Sequence, residues 1–336
     1  MTVEFEPFSL RLSEPLGTAA GVIDTRRGFL VRVTVAGEPG LGEATPLPGW
    51  TESIDACEDA LERVEDPIAA VQDGHLLDTP AARHGVSLAV LDAQSRAADR
   101  PLYRFLGGAE RVGSVPVNAT VGDGTPEETA AAAERAVLEG YPAVKLKVGA
   151  RPSDEDLDRL RAVRSACPDV EIRLDANGAY DETTADRLLP TFAGLGVSIL
   201  EQPLPAASLE AHGRLRGRGV DIALDEGLVE HGSEAALGAG VADYLVCKPM
   251  ALGGIDVARN VVRSARTAGI DAFVTTTIDG AVARAAAVHL GASIPDVVSC
   301  GLATGGLLES DLRSGVAPVA DGAATVPQGK GNIPPR

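Results

Sequence analysis

Five short apolar runs, each ending in a charged residue, recur at a near-constant interval and leave few folds open. They read Val144-Lys145-Leu146-Lys147, Glu171-Ile172-Arg173-Leu174-Asp175, Ile199-Leu200-Glu201, Ile222-Ala223-Leu224-Asp225 and Leu245-Val246-Cys247-Lys248. The terminal charges are 28, 26, 24 and 23 residues apart, each step about the length of one strand, one helix and two connections. Parallel strands joined by helices point the same way, so their C-terminal ends share one face. Lys147, Asp175, Glu201, Asp225 and Lys248 are therefore expected to converge on a single bowl. Three carboxylates there would repel one another unless a cation sat among them. Hard oxygen ligands in that number suit Mg²⁺, with a lysine on either side to flank whatever the metal holds.

The rest of the chain fits around that core. Residues 2–12 and 28–36 alternate as strands. Between them Ser13-Glu14-Pro15-Leu16-Gly17-Thr18-Ala19-Ala20-Gly21 reads as a mobile loop. A second loop, Gly42 to Trp50, carries the single tryptophan of the chain; it is either a lid or pocket wall, or an anchor for the loop itself. Residues 53–72 and 80–98 have helical periodicity. From Val115 strand and helix alternate: Val115–Thr120 is the first strand, Thr125-Pro126-Glu127-Glu128 opens its helix with an N-cap signature, Ile270–Val274 is the seventh strand and Asp296–Cys300 the last. Eight strands suffice to close a barrel. The expected class is α/β: a modified TIM-type (β/α) barrel over 111–309, with an N-terminal α+β capping domain over 1–110 completed by the C-terminal tail, 310–336.

Composition narrows the function. A net charge of −18 argues against nucleic acid or an anionic membrane as partner. Scattered acids with few lysines fit a protein kept soluble in a high-salt, halophile-type cytoplasm. Only Lys145, Lys147, Lys248 and Lys330 occur among 30 basic residues, and three of them lie at the strand ends. Arginine cannot lose its proton, whereas a crowded or desolvated ammonium can. Cys57, Cys167, Cys247 and Cys300 form no paired motif and read as buried free thiols of a reducing compartment. His289 lies in an apolar helical stretch and reads as packing. No signal-peptide pattern opens the chain and no apolar run is long enough to span a membrane, so a cytoplasmic enzyme is expected. A homo-oligomeric state is left open.

The strand-end motifs Val144-Lys145-Leu146-Lys147, Leu174-Asp175-Ala176-Asn177, Leu200-Glu201-Gln202-Pro203, Leu224-Asp225-Glu226 and Cys247-Lys248-Pro249 resemble the muconate-lactonizing subgroup of the enolase superfamily, over nearly the whole chain. Two further stretches, Gly42–Gly49 and Cys300-Gly301-Leu302-Ala303-Thr304-Gly305, resemble those of o-succinylbenzoate synthases. The resemblance implies Mg²⁺ held by Asp175, Glu201 and Asp225, Lys147 as general base, and Lys248 across the site as the cation facing an enediolate. Lys145 shares the inward face with Lys147 and is expected to lower its proton affinity. Asn177 and Glu226 would orient the ligands. The implied substrate is a small carboxylate, a hydroxy-cyclohexadiene carboxylate with a succinyl arm that is dehydrated to an aromatic product in menaquinone biosynthesis. Thr276 and Thr277 are candidate donors to that arm, Gly301 a point of close backbone approach, and Trp50 a wall of the pocket. Relatives often carry Glu-Ser after the seventh strand, where this chain has Asp279-Gly280. Racemisation or epimerisation of an N-acylated amino acid or dipeptide, muconate cycloisomerisation, and a Schiff-base aldolase are the competing readings.

Overall fold

The computed structural model describes residues 3–18 and 21–334. Its first unit is an antiparallel sheet of β1 (Glu4–Thr18), β2 (Gly21–Val35) and β3 (Glu38–Ala44). Four helices follow: α1 (Ile54–Glu62), α2 (Pro67–Gln72), α3 (Pro80–Ala97) and α4 (Leu102–Phe105). The expected loop at 13–21 is instead the far end of a hairpin, with Leu16 opposite Ile23 and Thr18 opposite Gly21; Ala19 and Ala20 lie outside the described residues. Ser13 to Gly17 are exposed, so this stretch shows no alternation of apolar residues; on the facing strand Ile23 packs against the cluster that holds Leu10 and Leu12. The helix expected over 53–72 breaks before Pro67, which sits at the first turn of α2 behind an Asp66 cap.

The barrel is built from β4 (Ser114–Pro116), β5 (Asn118–Val121), α5 (Pro126–Leu138), β6 (Ala143–Lys147), α6 (Ser153–Ala166), β7 (Glu171–Asp175), α7 (Glu182–Gly194), β8 (Val197–Glu201), α8 (Leu209–Leu215), β9 (Asp221–Leu224), α9 (Glu226–Ala239), β10 (Tyr244–Cys247), α10 (Pro249–Leu252), α11 (Ile255–Thr267), β11 (Asp271–Val274) and α12 (Ala281–Ala292). Strands β5 to β11 form one parallel sheet in chain order. Thr125 and Glu128 form the capping box that opens α5. The first barrel strand is split: β4 pairs with the tail, and Pro116, with no N–H to donate, ends that ladder before β5 begins. The last expected strand, 296–300, does not form. Asp296 has a left-handed backbone (φ 49°), and only Cys300 and Gly301 bridge, to Val117 and Thr275 respectively. Those two residues close the ring.

Alternation sorts the strand side chains. Val144, Leu146, Ile172, Leu174 and Leu200 are fully buried under the surrounding helices. Each is worth about 1.5–3 kcal/mol of burial. The alternate residues Lys145, Lys147, Arg173, Asp175 and Glu201 face the lumen. α12 is buried along its whole length, Arg284 and His289 included. Its alanines let β3 and α4 approach closely. His289 on α12 is buried between two chain segments, its Nε2 to the Asn332 carbonyl (2.7 Å) and its Nδ1 to the Tyr103 N–H (3.2 Å). Burial pushes its pKa down to about 4, so it is a neutral packing group.

The tail strands β12 (Val319–Ala320) and β13 (Ala323–Thr325) add to β4. Beyond them Gly331 bridges Pro101, the Asn332 N–H donates to Asp92 (2.6 Å) and Arg96 donates to the Ile333 carbonyl (2.6 Å). Glu43 ties the N-terminal sheet to the barrel. Its fully buried carboxylate accepts N–H groups from Gly280 (2.6 Å), Val282 (3.1 Å) and Ala283 (2.8 Å) at the start of α12, and the Thr45 hydroxyl (2.6 Å). Burial and nearby Asp279 push Glu43 up to about 7 despite those donors.

A raised carboxyl binds its proton more tightly in the folded chain than in the unfolded one. Its contribution is therefore present below the ordinary carboxyl pKa of about 4.5 and is lost as pH rises through 7. The loss is on the order of 3 kcal/mol. The stability difference between wild type and Glu43→Gln, followed by denaturant unfolding from pH 4.5 to 7.5, should shrink by about that amount as pH rises. A difference that stays constant across the window would remove Glu43 as the titrating group.

Candidate functional site

Register places the charges side by side. Lys147 pairs with Asp175 across β6 and β7, and Asp175 with Glu201 across β7 and β8. Asp225 and Lys248 are the residues immediately after β9 and β10 and begin the turns into α9 and α10. All five predicted strand-end residues are thus at one mouth. β6 and β10 are four strand steps apart in a ring of seven strands and one bridging segment. Lys147 and Lys248 therefore stand on opposite walls.

The amines and acids are in contact. Lys145 Nζ lies 2.9 Å from Asp175 Oδ2 and 3.0 Å from Glu201 Oε1. Lys147 Nζ lies 2.6 Å from the same Asp175 oxygen and 2.7 Å from Asn177 Oδ1. Lys248 Nζ lies 2.5 Å from Asp225 Oδ2. The side chains of Lys145 and Lys248 are 14% and 12% exposed, whereas that of Lys147 is 44% exposed. Lys147 is the amine a solute can reach. Lys145 does not follow the expectation that crowding frees a proton: burial alone would lower its pKa, but Asp175 and Glu201 outweigh that and raise it. Burial would raise Asp175, yet Lys145 and Lys147 hold it well below the usual range. Glu201 is pushed up to about 7 by burial and by Asp175, and Asp225 is raised by burial against the pull of Lys248.

Neighbouring groups fix these side chains. Asn177, with a left-handed backbone (φ 43°), joins Lys147 to Glu226 by donating to Glu226 Oε1 at 2.9 Å. Two contributors escaped the sequence reading. Gln202 Oε1 accepts the N–H of Asp225 (2.9 Å) and of Gly227 (3.1 Å), which orients the turn carrying Asp225. Arg159 on α6 donates to the Lys147 carbonyl (2.9 Å) and pairs with Asp156 (3.0 Å). The position of Gln202 directly after Glu201 is a signal for the first. Nothing local marks Arg159 among 26 arginines.

The substrate-contact candidates divide. Thr276 is buried and shares a hydrogen bond with Thr304 (2.8 Å). Thr277 commits its single hydroxyl proton to Asp279 (2.6 Å), so it accepts rather than donates towards the site. At Gly301 a Cβ would strike the Thr275 hydroxyl; its N–H donates to the Val274 carbonyl and its carbonyl accepts the Thr275 hydroxyl. Trp50 is half-buried, with Lys248 Nζ 3.5 Å from its ring centroid. A cavity of about 380 Å³ lies away from the mouth, between the N-terminal sheet and the tail, and contains none of the strand-end charges.

Among the described residues no three His, Cys, Asp or Glu side chains are gathered around one point as a metal centre; the acids face ammonium groups instead. Their chemistry nonetheless fits a hard divalent cation. Three carboxylates occupy neighbouring strand ends, and Asp225 Oδ1 is buried with no hydrogen-bond partner.

Comparison with known proteins follows the same lines. The chain is 30% identical to a chloromuconate cycloisomerase of Cupriavidus pinatubonensis, over 90% of this chain and 87% of that one. It is 28% identical to an o-succinylbenzoate synthase of Desulfotalea psychrophila, over 94% and 97%. The fold matches the crystal structure of a dipeptide epimerase from Enterococcus faecalis, complexed with Mg and the dipeptide L-Leu-L-Tyr, with a TM-score of 0.88 and 24% identity over 98% of each chain. The model of the Enolase C-terminal domain-like family matches residues 128–332. With more than half its length inside that family, and with cycloisomerase and synthase relatives, this chain belongs to the enolase superfamily, in its muconate-lactonizing subgroup.

Proposed function

We propose that the protein is a Mg²⁺-dependent o-succinylbenzoate synthase, dehydrating a hydroxy-cyclohexadiene carboxylate that bears a succinyl arm. The observation that carries this reading is the inequality of the two opposed amines. Lys147 is open to the mouth, whereas Lys248 is held by Asp225 and Trp50. One reachable amine suits a reaction in which the same group removes a proton and then assists the leaving group. The far side of the mouth agrees. The stretches 275–279 and 300–306 contain no basic residue and one carboxylate, Asp279, which is buried and engaged by Thr277. A free dipeptide would need a carboxylate for its ammonium group; an anionic arm does not.

In this reading Asp175, Glu201 and Asp225 hold the metal, as the Mg complex of the similarly folded epimerase supports. When bound, it supplies positive charge to the substrate carboxylate. Lys147 releases Asp175 to act as a neutral amine, kept on aim by Asn177 Oδ1. It takes the ring proton beside the carboxylate, and the C–H electron pair enters the ring system as the carboxylate oxygens gain negative charge. Lys248, as a cation on the opposite wall, faces that charge. Hydroxide then leaves the neighbouring carbon with the proton on Lys147, so that water is lost and the ring becomes aromatic. Lys145 keeps Asp175 and Glu201 together beneath the site. Asn177, Glu226 and Gln202 keep the ligand turns in place.

The opposed walls also suit a two-base epimerase of N-acylated amino acids or dipeptides, the reading that the epimerase fold match favours. The two part on one experiment. With the synthase substrate and Mg²⁺, aromatic absorbance should appear; deuterium exchange at an amino-acid α-carbon with no aromatic product would select the epimerase.

Lys147→Ala should lose about 10²–10⁴-fold or more in turnover with unchanged circular dichroism. Residual activity near wild type would take Lys147 out of the chemistry. Chelation with EDTA should abolish turnover, and Mg²⁺ should restore it and raise the melting temperature. Full activity in excess chelator would overturn the metal assignment.

A further inference from the structure

We infer that Trp50 is a positioning residue for Lys248: its indole face holds the ammonium against Asp225, so a residue of the N-terminal unit sets the geometry of the barrel wall opposite Lys147. Lys248 Nζ lies 3.5 Å from the Trp50 ring centroid and 2.5 Å from Asp225 Oδ2. A cation that close to an aromatic face is attracted by the ring's quadrupole. The amine is thus held between a carboxylate and a π face. With one face of the ring occupied by this amine, that face is closed to a substrate ring.

The loop that presents Trp50 is built to hold it there. Leu47 O accepts the N–H of Trp50 and of Thr51 (both 2.9 Å), and the Thr51 hydroxyl accepts the Leu47 N–H (2.8 Å). Gly49 supplies the positive φ of 95° that this turn requires. Both ends of the loop are pinned. At one end buried Arg26 donates to the carbonyls of Thr45 (2.8 Å) and Pro46 (3.0 Å), and also to Ile278 of the barrel (3.2 Å). At the other, Glu52 accepts the N–H groups of Ala81 (3.0 Å) and Ala82 (2.8 Å) at the start of α3. The Thr45 N–H also contacts Met250 Sδ (3.4 Å), two residues beyond Lys248 on α10. The loop is docked on the very turn that carries the lysine.

Two measurements test this, and only the second rests on the proposed reaction. Trp50 is the single tryptophan, so intrinsic fluorescence reads its environment in the resting protein. Lys248→Ala should shift the emission maximum and increase acrylamide quenching, whereas Lys330→Ala should do neither. Identical spectra and quenching for Lys248→Ala and wild type would overturn the contact whatever the enzyme catalyses. In steady-state kinetics on the turned-over substrate, Trp50→Leu should lower kcat about 3- to 30-fold with little change in KM. Trp50→Phe should recover part of that loss, since its ring keeps a π face while filling less space. Equal losses for Leu and Phe, or a change confined to KM, would assign Trp50 to packing or to substrate contact and end the proposal. A variant that unfolds is recognised by circular dichroism, and the Lys248→Ala fluorescence result then decides alone.

Discussion

Three buried carboxylates gathered at one end of the barrel are the constraint from which the rest of this structure follows. Asp175, Glu201 and Asp225 are at most 2% exposed, and a buried charge without a partner costs several kcal/mol. The chain answers with the lysines it otherwise avoids. Lys145 bridges two of the acids, Lys147 shares Asp175, and Lys248 takes Asp225. The three carboxylates are thereby matched by three ammonium groups. Burial raises Glu201 and Asp225 against the pull of these lysines.

Precision at the mouth depends on parts that never face it. Parallel register sets Lys147, Asp175 and Glu201 abreast, and the helices packed on Leu146, Leu174 and Leu200 keep that register from slipping. Arg159 braces the end of β6 from outside the barrel. Glu43 locks the N-terminal sheet onto the first turn of α12, and Arg26 fastens the neighbouring loop to Ile278. The Trp50 turn therefore meets Lys248 as part of one continuous polar framework.

Much of this was legible in the residues because spacing and alternation are local signals. The run-and-charge period located β6 to β10 and every strand-end charge, and period-two alternation placed Lys145 beside Lys147. What escaped has physical reasons. Residues 13–17 of β1 are exposed, so no apolar pattern marks them as strand. The closing segment near Cys300 looked like a strand by composition, but the left-handed backbone at Asp296 cannot be read from residue types. The hydrogen bonds of Gly301 with Thr275 and of Thr277 with Asp279 exist only in the folded chain. Arg26, Glu43 and Arg159 act over separations of 252, 240 and 12 residues, and nothing in the composition around them says where they reach.

The seam at Cys300 and Gly301 has a consequence for how such a chain can change over time. A wall made of two bridging residues has no ladder to slip out of step, so insertions or deletions beside it need not disturb the strands that carry the acids and amines. The side of the bowl beside this seam is thus less constrained than the side built from β6 to β10, each strand of which is paired on both edges.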